Sequence, residues 1–306
     1  MYRLNSRDFL NFRFRGNSGN KIKVNDFLKE KGVSSRLIRK SVKNGNIYLN
    51  SRVNRKNKIL RENDLISLRF QDEEPNGKIE HRDLDILYED DDLLLVNKEP
   101  FMVTHTAKDD SEGTLLNYTL GYFEENNIKR KVRFINRLDR DTSGIVLVAK
   151  NSFAQDKVTS DFDKNVEKKY IAIVEGILDE KEGIIDGPIA TSEDGIRREV
   201  NYVIGKKSLT SYKVLEENEN MSLLLLTLHT GRTHQIRVHM AHISHPVLGD
   251  SLYGSKSDLI NRQALHSYSL KFRLPRNNKA IEICAKLPKD FSFFPATYWK
   301  STFIAL

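Results

Sequence analysis

Asn136-Arg137-Leu138-Asp139-Arg140-Asp141-Thr142-Ser143-Gly144-Ile145-Val146-Leu147-Val148-Ala149-Lys150-Asn151 is the stretch on which the reading of this chain turns. Two arginines and two aspartates alternate over Arg137 to Asp141, a turn is expected at Thr142-Ser143-Gly144, and an unbroken apolar run follows. Five β-branched or aliphatic residues in a row, bounded by turn residues, predict a strand buried on both faces. A charged loop on the lip of such a strand is where a scaffold holds reactive groups rigidly. Asp139 is the candidate. An acid beside Arg137 and Arg140 is suited to stay ionised, and an ionised carboxylate serves as a nucleophile better than as a general acid. A structural ion-pair loop would read the same way from these residues alone.

Outward from that loop, 306 residues exceed what one core usually covers, so two domains are expected. Charge divides the chain: residues 1–79 carry 19 Lys and Arg against 8 Asp and Glu, the remainder 31 against 34. The whole basic excess sits in the first quarter, as in a polyanion-docking module joined to a near-neutral body. No window of eighteen apolar residues exists, so a soluble cytoplasmic protein without membrane contact is expected. One cysteine, Cys284 in a strand-like alternation, rules out an intrachain disulfide and a four-cysteine zinc site. Oligomeric state has no signature here, and a monomer is the default.

In the basic quarter, Phe9 to Phe14 alternates as a strand would, and Val24, Phe27 and Leu28 fall at helical spacing before Gly32. Ser34 can cap a second helix that ends near Lys43, before Gly45. On it Arg36, Arg39, Lys40 and Lys43 recur at i, i+3, i+4 and i+7, so four cations share one face. Four like charges repel unless something anionic offsets them, which points to a polyanion such as a nucleic acid. Short strands follow to Phe70. We divide the chain into residues 1–75, a linker at 76–83 inside the polar stretch 71–83, and 84–306. The last segment alternates apolar strands (86–88, 93–96, 145–149, 170–174, 223–228, 280–285) with fewer helices (114–126, 152–164, 233–243). That mixture predicts α+β with a large, mainly antiparallel mixed sheet. No glycine-rich phosphate loop occurs.

Three further motifs stand out: Thr230-Gly231-Arg232-Thr233-His234-Gln235-Ile236-Arg237, Glu167-Lys168-Lys169-Tyr170, and Asn97-Lys98-Glu99-Pro100-Phe101. Five histidines lie between 229 and 245, but HExxH spacing and cysteine ligands are missing, so no metal is expected. Segments 244–254 and 264–268 read as fixed turns and packing.

Together the string RLDRDTSG, the string TGRTHQIR and the tyrosine of the K-x-Y position resemble the RluA/RluD-type RNA pseudouridine synthases over roughly 21–290. Residues 21–71 resemble the S-four-type RNA-binding module that precedes that catalytic domain. The resemblance implies a pseudouridine synthase fold and isomerisation of uridine to its carbon-linked form, with no cofactor and no metal. It makes Asp139 the catalytic nucleophile and Arg237 its guanidinium partner. Tyr170 would stack on the target base and is a candidate for removing the proton at carbon 5, and Arg137 would fill the space the flipped nucleotide leaves. Two positions depart from the family's pattern: Asn136 stands where histidine is frequent, and Phe101 where a small residue or glycine is. Large-subunit ribosomal RNA is the expected substrate, ahead of transfer RNA. Two rivals remain: a non-catalytic RNA-binding ribosome assembly factor, and a nucleoside hydrolase using a second carboxylate, Asp141 or Asp250.

Overall fold

The computed structural model describes residues 7–16, 21–106, 111–162 and 165–294. Two sheets with separate cores account for most of it. The first unit comprises β1 (Phe9–Arg13), α1 (Val24–Glu30), α2 (Ser35–Lys43), β2 (Ile47–Leu49), β3 (Arg52–Val53) and β4 (Leu65–Arg69). Its strands form a four-stranded antiparallel sheet in the order β1-β4-β2-β3. Val24, Phe27 and Leu28 of α1 and Leu37 and Ile38 of α2 are buried against Leu10, Ile47, Ile66 and Leu68 of that sheet. Ser34 caps α2 by accepting a hydrogen bond from the Leu37 amide at 3.3 Å.

The second unit runs β5 (Ile86–Glu89), β6 (Leu93–Lys98), α3 (Leu115–Glu125), β7 (Arg133–Phe134), β8 (Ser143–Ala149), α4 (Ser152–Phe162), β9 (Glu167–Glu175), β10 (Glu182–Asp186), β11 (Ile189–Thr191), β12 (Arg198–Val200), β13 (Leu209–Glu217), β14 (Met221–Leu228), α5 (Gln235–His242), β15 (Leu265–Arg273) and β16 (Ala280–Cys284). Ten strands make one sheet, ordered β10-β13-β14-β9-β15-β8-β6-β5, with β16 paired to β15 and β7 to β8. Every pairing is antiparallel except β15 with β8. The α+β expectation therefore holds, and so does the mixed sheet.

Strand β8 is apolar throughout because both its faces are covered. Val146 and Val148 join the core that contains Phe123 of α3, while Ile145, Leu147 and Ala149 join the core that contains Ala154 and Val158 of α4. Ser143 and Gly144 already belong to this strand, so the turn lies one step earlier than the sequence suggests, where the Thr142 amide donates to the Asp139 carbonyl at 3.1 Å. Gly144 is at φ +110, and a Cβ there would stand 2.2 Å from the Ser267 carbonyl oxygen of β15. Only glycine allows that approach.

The two units are tied together by a buried and a half-buried arginine. Arg130 pairs with Asp8 and Asp72 and donates to the Phe70 carbonyl, and Arg276 pairs with Asp92 while donating to the Phe9 carbonyl. Phe153 of α4 enters the core of the first unit, and the Ser34 hydroxyl donates to Asp156 of the same helix at 2.5 Å. The polar stretch 71–83 connects the units as a strap. Asn76 exchanges hydrogen bonds with the Val132 backbone in both directions, Glu73 holds Arg133, and the Asn117 amide donates to the Lys78 carbonyl. Among the described residues, no helix is long and apolar enough to cross a membrane.

Candidate active site

The loop 135–142 leaves β7 and enters β8, and its backbone is fastened on every side. The Ile135 amide continues the pairing of β7 by donating to the Leu147 carbonyl. Asn136 then extends that ladder with its side chain: Nδ2 donates to the Ile145 carbonyl at 3.0 Å and Oδ1 accepts from the Leu147 amide at 2.8 Å. This gives the first departure from the family's pattern a structural purpose. The Thr104 hydroxyl donates to the Leu138 carbonyl at 3.0 Å. Lys98, buried at the end of β6, donates to the carbonyls of Glu99, Met102 and Arg140 at 2.8–2.9 Å. Burial pulls the Lys98 pKa down to about 7, against the attraction of Asp141 and Asp139. Arg262 donates to the Asp141 carbonyl from the far side at 3.0 Å. Asp139 is thus presented by a loop with little freedom to move.

Its carboxylate, 28% exposed, meets Arg237 of α5, whose Nη1 donates to Oδ2 at 2.9 Å. The same guanidinium grips Asp250 with its other two nitrogens, Nε at 2.6 Å and Nη2 at 2.8 Å. Arg237 is 8% exposed and Asp250 1%. Two carboxylates around one guanidinium push its pKa further up despite burial, so it stays charged. The Arg237 guanidinium carbon also lies 5.1 Å from the centre of the Tyr253 ring. The Tyr253 hydroxyl is 2.9 Å from His234 Nδ1, and His234 Nε2 is 3.8 Å from the Asp139 carboxylate. Burial, against the opposing pull of Asp139, lowers the His234 pKa, so this imidazole is neutral near pH 7. His234 adopts φ +57, a left-handed turn that starts α5.

Asp139 opens onto a cleft of about 940 Å³ that Arg137, Tyr170, Leu228, Arg232 and His234 also line. Tyr170 is buried on β9, and burial with the nearby Asp139 charge pushes its phenol up to about 12. The structure therefore brings Asp139, Arg237, Tyr170 and Arg137 to one place. It separates them from Arg36, Arg39, Lys40 and Lys43, which are all exposed on α2. The arginines next to Asp139 in sequence are not its partners. Arg140 pairs with Asp141 at 2.8 Å, and Arg137 is exposed at the mouth of the cleft. The partner comes from 98 positions away.

Sequence reasoning missed four members. In the sequence Asp250 reads as turn packing or as a hydrolase's second carboxylate, Tyr253 as turn packing and His234 as one of five histidines, although an acid and a tyrosine beside a Gly-Asp turn are visible. Lys98 carried no signal beyond its motif. Phe101 stands at φ +63, is 52% exposed and does not line the cleft, so the second departure leaves the cleft wall intact. Among the described residues no group of three or more His, Cys, Asp and Glu is placed to hold a metal ion. Three more histidines of 229–245 serve separate hydrogen bonds: His229 meets Ser211, His239 meets Thr210 and the Gly187 carbonyl, and His245 meets the Glu175 carbonyl.

The family described as RNA pseudouridylate synthase matches residues 92–242. The chain is 37% identical over 275 residues to the uncharacterized RNA pseudouridine synthase YjbO of Bacillus subtilis, which covers 88% of this chain and 96% of that protein. It is 38% identical over 223 residues to ribosomal large subunit pseudouridine synthase D of Haemophilus ducreyi, covering 68% of each. Among solved structures, human RNA pseudouridylate synthase domain containing 1 matches with a TM-score of 0.57 and 32% identity, over 67% of this chain and 84% of that one. The chain belongs to the RNA pseudouridine synthase family and is an isomerase acting on RNA.

Proposed function

We propose that this isomerase converts uridine to pseudouridine in large-subunit ribosomal RNA, with Asp139 as the nucleophile. The observation that carries the reading is the 2.9 Å bond from Arg237 to Asp139 at the floor of a cleft that Tyr170 also lines. The reaction breaks the bond from N1 to the ribose carbon and remakes it at carbon 5, with one proton leaving carbon 5 and one arriving at N1. Nothing is oxidised and no group leaves, so the stoichiometry asks for no co-reactant. Attack at the sugar, attack at the base and elimination to a glycal all need the same carboxylate. Arg237 aims that carboxylate, and Asp250 in turn fixes Arg237. The detached uracil has to rotate while held, which suits the apolar wall made by Tyr170 and Leu228. With its phenol pushed up to about 12, Tyr170 is a neutral stacking surface and hydrogen-bond donor at working pH. A standing phenolate that takes the carbon 5 proton is disfavoured.

A nucleotide inside a helix has to be extruded to reach Asp139, at a cost of about a few kcal/mol. Arg137, exposed at the mouth, is our candidate for occupying the vacated place. The N-terminal unit acts as an S-four-type module whose α2 face meets phosphates. The naming of several relatives as large-subunit synthase D supports ribosomal RNA as target. Pseudouridine mapping of total RNA from a strain lacking this chain tests it. Sites lost from large-subunit RNA and restored by the wild-type chain agree with the proposal; sites lost only from transfer RNA reject the target.

A further inference from the structure

The cleft, of about 940 Å³, is far larger than the small pocket that adjoins it at Asp139. That pocket holds about 70 Å³ and gathers Asp139, Tyr170, Leu228, His234 and Arg237. Past Arg137, which belongs to both spaces, the cleft continues along Asn76, Lys131, Val132, Phe134, Thr104 and His105. None of these outer residues approaches the carboxylate in the pairs described above, so the proposed chemistry leaves this arm unused.

Its wall carries a paired ring surface. His105, on the loop after β6, and Phe134, at the end of β7, lie with ring centres 5.7 Å apart and planes inclined by only 19°. His105 Nδ1 is buried and has no hydrogen-bond partner among the described residues. Burial and the neighbouring Arg137 charge keep the imidazole neutral. The cations around this surface, Arg137 and Lys131, are exposed. A flat neutral ring pair beside exposed cations is the chemistry that holds an unpaired nucleobase by its face and its phosphate by charge. The arm is also locked to the reactive loop. Thr104, next to His105, donates to the Leu138 carbonyl and accepts from the Leu138 amide, one residue before Asp139.

We propose that the His105–Phe134 pair is a second nucleotide subsite, on which an unpaired base neighbouring the target uridine stacks. Arg137 stands between the two bases, and Thr104 fixes their separation. The subsite rests on the synthase reading given above. It adds a recognition element that selects RNA by an unpaired neighbour.

The experiment replaces each of the two nucleotides on either side of the target uridine, one at a time, by an abasic residue. Binding is measured with Asp139→Asn protein, which removes turnover from the readout, and KM and kcat with wild-type Asp139. Phe134→Leu, which keeps apolar volume on β7, and His105→Asn, which removes only a loop ring, are compared with the parent. Stacking one base on an aromatic side chain predicts a rise in KM and in dissociation constant of about 5- to 150-fold for the variants, with kcat nearly kept. One abasic position should cost the parent the same factor and cost the variants nothing further. Variants that bind as the parent does, or abasic losses that multiply with them at every position, overturn the subsite. A parent that binds RNA but forms no pseudouridine overturns the synthase reading instead, and the binding comparison still reads the subsite.

Discussion

The α2 face and the Asp139 cleft both concentrate arginine, and they use it in opposite ways. On α2, Arg36, Arg39, Lys40 and Lys43 are exposed and form no ion pair among the described residues. At the cleft, Arg237 is buried and every nitrogen of its guanidinium has a carboxylate oxygen within 2.9 Å. Exposed unpaired cations give affinity that salt screens and that neighbours can replace. A buried, saturated guanidinium gives geometry, and removing it strands its partners. One region should therefore respond to mutation gradually and the other abruptly.

Short of the carboxylate itself, Arg237 should show the largest effect. Arg237→Met leaves Asp250 buried without its counter-charge, and a loss of about 3–5 kcal/mol in denaturant unfolding is expected. Arg237→Lys keeps the charge but not the two-sided grip, so turnover should fall about 100-fold while the protein stays folded. A full-rate lysine variant would remove Arg237 from the account. Next comes α2. Neutralising Arg36, Arg39, Lys40 and Lys43 together should flatten the dependence of log affinity on log salt by up to about four units, read from RNA titrations at several salt concentrations. An unchanged slope would mean that this face meets no phosphate.

Asn136→Ala lies between the two regimes. It deletes two hydrogen bonds to β8 and leaves the Leu147 amide without its side-chain acceptor. A cost of about 1–3 kcal/mol is expected in thermal or denaturant unfolding, with a larger proportional loss of turnover because Asp139 is three residues on. Stability lost with turnover intact would show that the loop tolerates slack. The last effect concerns pH. Burial holds the His266 pKa down to about 3 from an ordinary 6.5. The unfolded chain therefore binds a proton that the folded one refuses. Stability from this group is complete above pH 6.5 and falls as pH drops toward 3. His266→Asn should flatten that part of the stability profile between pH 6 and 4, and an unaltered profile would show that His266 is not the group responsible.

The sequence carried the fold where burial and polarity agree. Strand β8 and helices α3 and α4 were legible because their apolar spacing matches what they bury. Strand β15 was not, since His266, Ser267 and Ser269 are buried polar residues that break the apolar signal while pairing within the sheet. Strand β13 was hidden for the converse reason, with charged and polar residues along a half-exposed strand. At the site, the RLDRDTSG and TGRTHQIR strings pointed to Asp139 and Arg237 before any geometry was known. The pairing across 98 positions came only through the resemblance, and what no local sequence could give was the grip of Asp250 or the fact that neighbouring Arg140 serves Asp141 instead. The grip follows from the fold, which sets Asp250 and the loop before β8 on either side of the Arg237 guanidinium.

The most direct measurement is pseudouridine formed per enzyme on purified large-subunit ribosomal RNA, comparing wild type with Asp139→Asn at matched RNA occupancy. A carboxylate nucleophile predicts stoichiometric conversion by the wild type and none detectable by the asparagine variant, with RNA binding retained. Equal conversion by both proteins would contradict the assignment of Asp139 outright.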